Sequence, residues 1–214
     1  MEKKQLFRII NSVWFAESQA IADLSKTVDL EVVVGVADLL ATCQGKIITM
    51  GLGTSAAAAH KIAHTLSCVE IPALALSPAD GAHGGLGVLR REDIVIAISK
   101  GGRTEELLRI LPTIKAKGAH LVVVSENDNS ELAQASDLFL RVRVDREACP
   151  FNMLATSSTL AVLAVFDAIA IALMYVTGYS KEKFAVIHPG GAVGEKLRHG
   201  HSAGICAPFQ GEDP

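Results

Sequence analysis

The stretch "IVIAISKGGRTEELLRI" (Ile94–Ile110) decides the fold class. Five apolar residues in succession, without polar alternation, mark a strand covered on both faces. The run stops at Ser99. Gly101 and Gly102 make a turn, Thr104 stands where a helix cap belongs, and Glu105 and Glu106 are acids of the kind favoured in a first helical turn. Leu107, Leu108 and Ile110 then recur at helical spacing. The pattern is strand, turn, helix.

It repeats along the chain. "KIITMGLG" (46–53) is a strand ending in glycines, followed by the Ala-rich helix "TSAAAAHKIAHTLSCV" (54–69). "PALALS" (72–77) is a second strand, "DIVIAIS" (93–99) a third and "AHLVVVS" (119–125) a fourth. "SELAQAS" (130–136) is a short helix and "DLFLRVRV" (137–144) a fifth strand. "LATSSTLAVLAVFDAIAIALMYVTG" (154–178) reads as one long apolar helix. Pro112 falls inside the helix after the third strand, where it is expected to kink it. Residues 4–43 read as helices, with Asp29 as a cap. Strands alternating with helices imply right-handed βαβ units, hence an α/β fold with a five-stranded parallel sheet flanked by helices and an N-terminal helical segment.

Composition agrees. Of 214 residues, 50% are hydrophobic and only 5% aromatic, so Ala, Val, Ile and Leu must fill the core. The formal net charge of −3 gives no electrostatic case for nucleic acid, and no basic helix-turn-helix precedes the sheet. Cys43, Cys68, Cys149 and Cys206 form no C-x-x-C pair and read as reduced thiols of a cytoplasmic protein. The N-terminus lacks the apolar core of a signal peptide, and the longest apolar stretch, 160–176, contains Asp167 and is short of a membrane span. One domain over 1–198 is expected, with helices over 1–43, an α/β core over 46–198, and a tail without order over 199–214.

Ligands of such sheets bind beyond the carboxyl ends of the strands. Three loops there are candidates. Gly51-Leu52-Gly53-Thr54-Ser55 opens a helix, where free backbone N–H groups favour an anion. It starts like a dinucleotide fingerprint, but Ala56 stands where the third glycine belongs, which argues against a nicotinamide cofactor. Ser99, Lys100, Gly102, Arg103 and Thr104 form the second loop, with hydroxyls, open backbone and positive charge. Thr156-Ser157-Ser158-Thr159 puts four hydroxyls at the head of an apolar helix. Together they point to a phosphorylated ligand. None has the G-x-x-x-x-G-K-[ST] pattern of a nucleotide triphosphatase. His60 and His64 are four apart on a helix but have no evident third ligand, so no metal site is expected.

The pieces "GLGTS", "AISKGGRTEE", "EACP…TSSTLAVLAVFDAIAIAL" and "FAVIHPGGAVGEKL" resemble the sugar isomerase (SIS) domain, and within it the KpsF/GutQ-type arabinose-5-phosphate isomerases. The resemblance runs from about Lys46 to Leu197 and is to the single-domain kind without CBS domains. It implies a flavodoxin-like three-layer sandwich, no cofactor, and a homo-oligomer, often a tetramer, with sites between subunits. It implies a phosphate held by Ser55, Ser99, Thr104 and the 156–159 run. Its catalytic glutamates fall on Glu106 and Glu147, its histidine on His188, and a further histidine on His83.

Two loops depart from the pattern. The family's first-loop lysine is Thr54 here, and its "SNSGES" loop has become "SKGGRT". Thr cannot replace an ammonium, so Lys100 or Arg103 is expected to supply the missing charge near the phosphate, or the activity differs. Aldose–ketose isomerisation needs a base for a carbon-bound proton, an electrophile at the carbonyl oxygen and help in opening the sugar ring. Glu147 is expected to be that base, with Glu106 the other candidate; Glu147 is alternatively a surface partner of Arg143 or Arg146. His188 and His83 are expected to open the ring or polarise the carbonyl. Two other readings remain open: a non-catalytic phosphosugar sensor, and a SIS enzyme acting on another sugar or amino-sugar phosphate.

Overall fold

The computed structural model describes residues 2–188. The expected tail, and the part of the last motif beyond His188, lie outside the described residues. Three helices come first: α1 (Lys3–Ala22), α2 (Leu24–Thr27) and α3 (Leu30–Ala41). Asp29 caps α3 as expected, its side chain accepting from the Glu31 backbone N–H. The α/β part then runs β1 (Ile47–Met50), α4 (Thr54–Cys68), β2 (Ala73–Ala75), α5 (Pro78–Ala82), a 3-10 turn (Gly85–Val88), β3 (Ile94–Ile98) and α6 (Glu105–Lys117). It closes with β4 (His120–Ser125), α7 (Glu131–Ala135), β5 (Leu138–Arg141), α8 (Ser157–Val176) and α9 (Lys181–Ile187).

The sheet has five strands in the order β2-β1-β3-β4-β5. Every pairing is parallel, with Ile47 opposite both Ala73 and Ile94, Ile94 opposite His120, and Val122 opposite Leu138. Alternation of side chains splits the apolar strands between two cores. Ile94, Ile96, Ile98, Val122 and Val124 face Val36 and Leu40 of α3, Ile62 and Leu66 of α4, and Val165, Phe166 and Ile169 of α8. Val95, Ala97, Leu121 and Val123 face Leu107, Ile110 and Ile114 of α6 and Leu132 of α7. The unbroken apolar strands therefore feed two layers of helices, as expected of a three-layer sandwich.

The chain reverses its strand order between β1 and β3, because β2 lies on the far side of β1. Loops leaving those two strands part in opposite directions, and the crevice between them is where such sheets bind ligands. At the opposite edge of the sheet, the buried Asp93 carboxylate ties the starts of β1 and β3 together. It accepts from the Lys46 backbone N–H at 2.9 Å, the Lys46 ammonium at 2.6 Å and the Arg90 N–H at 2.7 Å. Burial opposes its charge, but those donors hold its pKa below the ordinary value.

Several boundaries differ from expectation. β2 and β5 are shorter than their apolar stretches, and the long apolar helix starts only at Ser157 because 154–156 belong to a loop. The short helices α5 and α9 are single or double turns, too brief to show a period; Ser77 and Ser180 cap them. α8 is long and apolar enough to cross a membrane, with a mean hydropathy of 2.3. Here it is a packed helix, lying against α4, α3 and α1 with Ala161, Ile169 and Leu173 fully buried.

Candidate active site

The β3–α6 turn is closed by hydrogen bonds of its own side chains. Ser99 follows β3, and its hydroxyl accepts from the Gly102 N–H at 3.1 Å. The same hydroxyl lies 2.8 Å from the Thr104 hydroxyl. Thr104 does occupy the cap position of α6, but its side chain makes no capping bond and is turned toward Ser99 instead. Gly102 has φ +68°, and a Cβ there would collide with the Ser130 side chain, so only glycine fits. Gly101 is exposed and open. Arg103 is exposed and makes no hydrogen bond or ion pair among the described residues.

Neighbouring loops brace this turn. The Ser125 hydroxyl donates to the Lys100 carbonyl at 2.9 Å, the Glu126 N–H donates to the same carbonyl at 3.1 Å, and the Asn127 amide donates to the Gly101 carbonyl at 3.3 Å. The sequence offered a signal for these supports, the polar run Ser125–Ser130 after β4. It named none of their targets.

Glu147 differs most from expectation. It pairs with neither Arg143 nor Arg146. Its carboxylate is fully buried and accepts five hydrogen bonds. Oε1 takes the Lys100 ammonium at 2.6 Å and the Ser158 hydroxyl; Oε2 takes the Thr156 N–H at 2.9 Å, the Ser158 N–H at 3.1 Å and the Thr156 hydroxyl at 3.2 Å. The carboxylate therefore sits on the N-terminus of α8, where the helix dipole favours a negative charge. Burial works against ionisation, but the Lys100 ammonium and the Ser158 and Thr156 donors overcome it and lower the pKa to about 2. A carboxylate so satisfied is a weak base. The hydroxyl run expected to hold a phosphate is in this structure turned partly onto Glu147. Ser157 is buried, and its hydroxyl has no hydrogen-bond partner among the described residues.

The loop before α8 is folded to present that carboxylate. Asn152 has φ +54° and accepts the Glu147 N–H at 2.7 Å through its side chain. Thr156 accepts the Ala148 N–H. The Cys149 sulfur accepts N–H bonds from Met153 and Leu154 at 3.1 Å each, which hold its thiol pKa below the ordinary value.

Two spaces meet at Lys100. A cavity of about 40 Å³ is lined by Ser55, Ile98, Lys100, Ser125, Ser158 and Thr159, which joins the ends of β3 and β4 to the starts of α4 and α8. It has room for about one water, whose share of liquid volume is roughly 30 Å³. An open cleft of about 510 Å³ is lined by Lys100, Gly101, Arg143, Arg146, Glu147 and Asn152, among others. Of these two, the cleft is the one large enough for a sugar phosphate.

The remaining candidates make no hydrogen bond or ion pair with that cluster. Thr54 is exposed at the start of α4. Glu106 is half-buried in the first turn of α6, with no hydrogen bond or ion pair among the described residues. His83 is exposed after α5. His188 ends α9, its ring stacked on Phe184 at 3.9 Å with Nδ1 3.1 Å from the Phe184 carbonyl. Among the described residues no group of three His, Cys, Asp or Glu side chains is placed to hold a metal ion.

The SIS domain model matches residues 40–172. This chain belongs to the SIS domain family. A Listeria monocytogenes protein, provisionally named a sugar-phosphate isomerase, is 47% identical with a TM-score of 0.88, over 89% of this SIS chain and 100% of its own. An Escherichia coli CFT073 protein solved in complex with arabinose 5-phosphate is 30% identical with a TM-score of 0.85, over 88% of this chain and 100% of its own. Arabinose 5-phosphate isomerase KdsD of Yersinia pestis is 41% identical over 155 residues, 72% of this chain and 47% of its own. The SIS chain thus spans about half the length of the curated relatives it matches.

Proposed function

We propose that this SIS protein is a sugar-phosphate aldose–ketose isomerase that acts on arabinose 5-phosphate or a closely related phosphosugar. The observation that carries the reading is the meeting of the β3–α6 turn, through Lys100 and Gly101, with Glu147 at one cleft, in a chain with one relative of similar length provisionally named a sugar-phosphate isomerase and another solved with a sugar phosphate.

The phosphate takes the β3–α6 turn. Ser99, Thr104 and the open Gly101 backbone donate to it, Gly102 shapes the turn, Ser55 and Thr54 approach from the β1–α4 turn, and Arg103 supplies charge. Glu106 then lies one helical turn from the phosphate. It carries no ion pair among the described residues, so it is the freer of the two glutamates, and we assign it the carbon-bound proton in place of Glu147. In that step the Glu106 carboxylate takes the proton from C2 of the open-chain aldose. The C–H electron pair becomes the C1–C2 double bond, and the carbonyl pair moves to O1. Returning the proton to C1, while the O2 proton passes to O1, yields the ketose with no net redox change. His83 and His188 open the ring from a neighbouring subunit, since neither reaches the cleft of its own chain.

A homo-oligomer fits the surface. α1 buries none of its residues in the fold and exposes Phe7, Ile10, Trp14 and Phe15. A contiguous apolar face of that kind marks a protein interface. A cytoplasmic setting fits the unpaired Cys43, Cys68 and Cys149.

The test is to incubate the protein with a panel of pentose, hexose and amino-sugar phosphates and follow ketose formation. Turnover of a pentose phosphate, reduced in Glu106→Gln by roughly 10²- to 10⁴-fold, is expected. Binding of one of them without turnover of any would instead mark a phosphosugar sensor.

A further inference from the structure

The Lys100–Glu147 pair has a polarity that assigns each partner a different task. Glu147 is fully buried, while the Lys100 side chain is 39% exposed. Lys100 lines both the small cavity and the open cleft. What a substrate meets first is therefore the ammonium. Glu147 is fixed from behind by four further donors from Thr156 and Ser158, so it anchors the ammonium to the N-terminus of α8. An ammonium has three donors, and the bond to Oε1 uses one. A paired ammonium is a poor counter-ion for a phosphate dianion, because the pair has no net charge. It remains a well-aimed N–H donor for an oxygen that acquires charge only during reaction.

We propose that Lys100 is the electrophile of the isomerase. Its ammonium donates to the substrate carbonyl oxygen, O1, and stabilises the ene-diolate oxyanion; Glu147 is a positioning residue that holds Lys100 there. This rests on the isomerase reading. It differs from a phosphate-binding role for Lys100, and it gives the buried glutamate a task other than proton abstraction.

The experiment measures binding of two probes to wild type and Lys100→Met by calorimetry. One is inorganic phosphate. The other is a phosphorylated aldonohydroxamate, whose planar anionic head imitates the ene-diolate. Wild type is expected to bind the hydroxamate at least about 100-fold more tightly than phosphate, as reaction-intermediate analogues do. Lys100→Met is expected to lose about 100-fold of hydroxamate affinity, the scale of one oxyanion donor, with phosphate affinity unchanged. Glu147→Gln keeps the shape of the buried side chain and covers the case in which the Met variant fails to fold. It should lose about tenfold of the preference, again with phosphate binding intact. Phosphate affinity falling in step with hydroxamate affinity would make Lys100 a phosphate ligand and overturn the proposal. So would a preference that survives in both variants. A wild type that binds neither probe, or prefers neither, removes the isomerase reading itself and this assignment with it.

Discussion

At the residue scale, the stability of this protein in acid should report on Glu147. Its folded pKa of about 2 lies below the ordinary carboxylate value of 4.5. A depressed pKa contributes stability that is fully present above the unfolded value and is lost as pH falls through the folded one. The melting temperature of wild type is therefore expected to fall between about pH 4.5 and pH 2, in part through this group. Glu147→Gln should be less stable at neutral pH and show a shallower loss over that window. Parallel wild-type and variant curves in a thermal-melt series across that range would show that the carboxylate is not so held. Asp93 makes a second case: Asp93→Ala leaves the Lys46 and Arg90 N–H groups and the Lys46 ammonium without their acceptor. Hydrogen bonds to a charged group are each worth about 1.5–3 kcal/mol, so a loss of at least about 2 kcal/mol by denaturant unfolding is expected. The loop hydroxyls and charges are legible from residue types and positions, and the family resemblance points to Glu106, Glu147, His188 and His83. Which carboxylate was free and which was satisfied was not legible, because Lys100 and Glu147 are 47 residues apart and the sequence does not state their pairing.

At the element scale, α6 shows how far local signals reach. Glu105 and Glu106 in its first turn and Lys115 and Lys117 in its last complement the helix dipole, and Gly118 ends it in a left-handed conformation at φ +74°. Gly118→Ala is expected to cost about 1 kcal/mol, because an L-residue is disfavoured there; an unchanged denaturant midpoint would contradict the assignment of that cap. α8 shows the limit. Its composition reads as apolar throughout, and only packing divides it into a buried stripe and an exposed one. Phe166 lies in that stripe at 1% exposure. Phe166→Ala should cost about 3–5 kcal/mol in the same measurement, whereas Ile171→Ala, on the exposed side, should cost far less.

At the scale of the whole molecule, the proposed homo-oligomer rests on the exposed apolar face of α1. The helix was legible from its spacing, but its face was not, since apolar residues point around most of it. Trp14→Glu should shift the protein to a smaller species in light scattering after gel filtration while leaving the fold, by circular dichroism, unchanged. A variant of unchanged mass would place the interface elsewhere. The sheet itself could be read almost entirely from the chain. Continuous apolar runs, glycine turns and intervening helical periods each depend on near neighbours, so the strands and their parallel direction followed from the sequence alone. The motifs likewise carried the family. Tertiary structure decided the division of the two cores, the bracing of the Ser99 turn by the β4 loop, and the charge state of the site. Those depend on contacts between distant segments and on burial. A buried carboxylate on a helix N-terminus is a different reagent from the same residue in water, and only the folded chain puts it there.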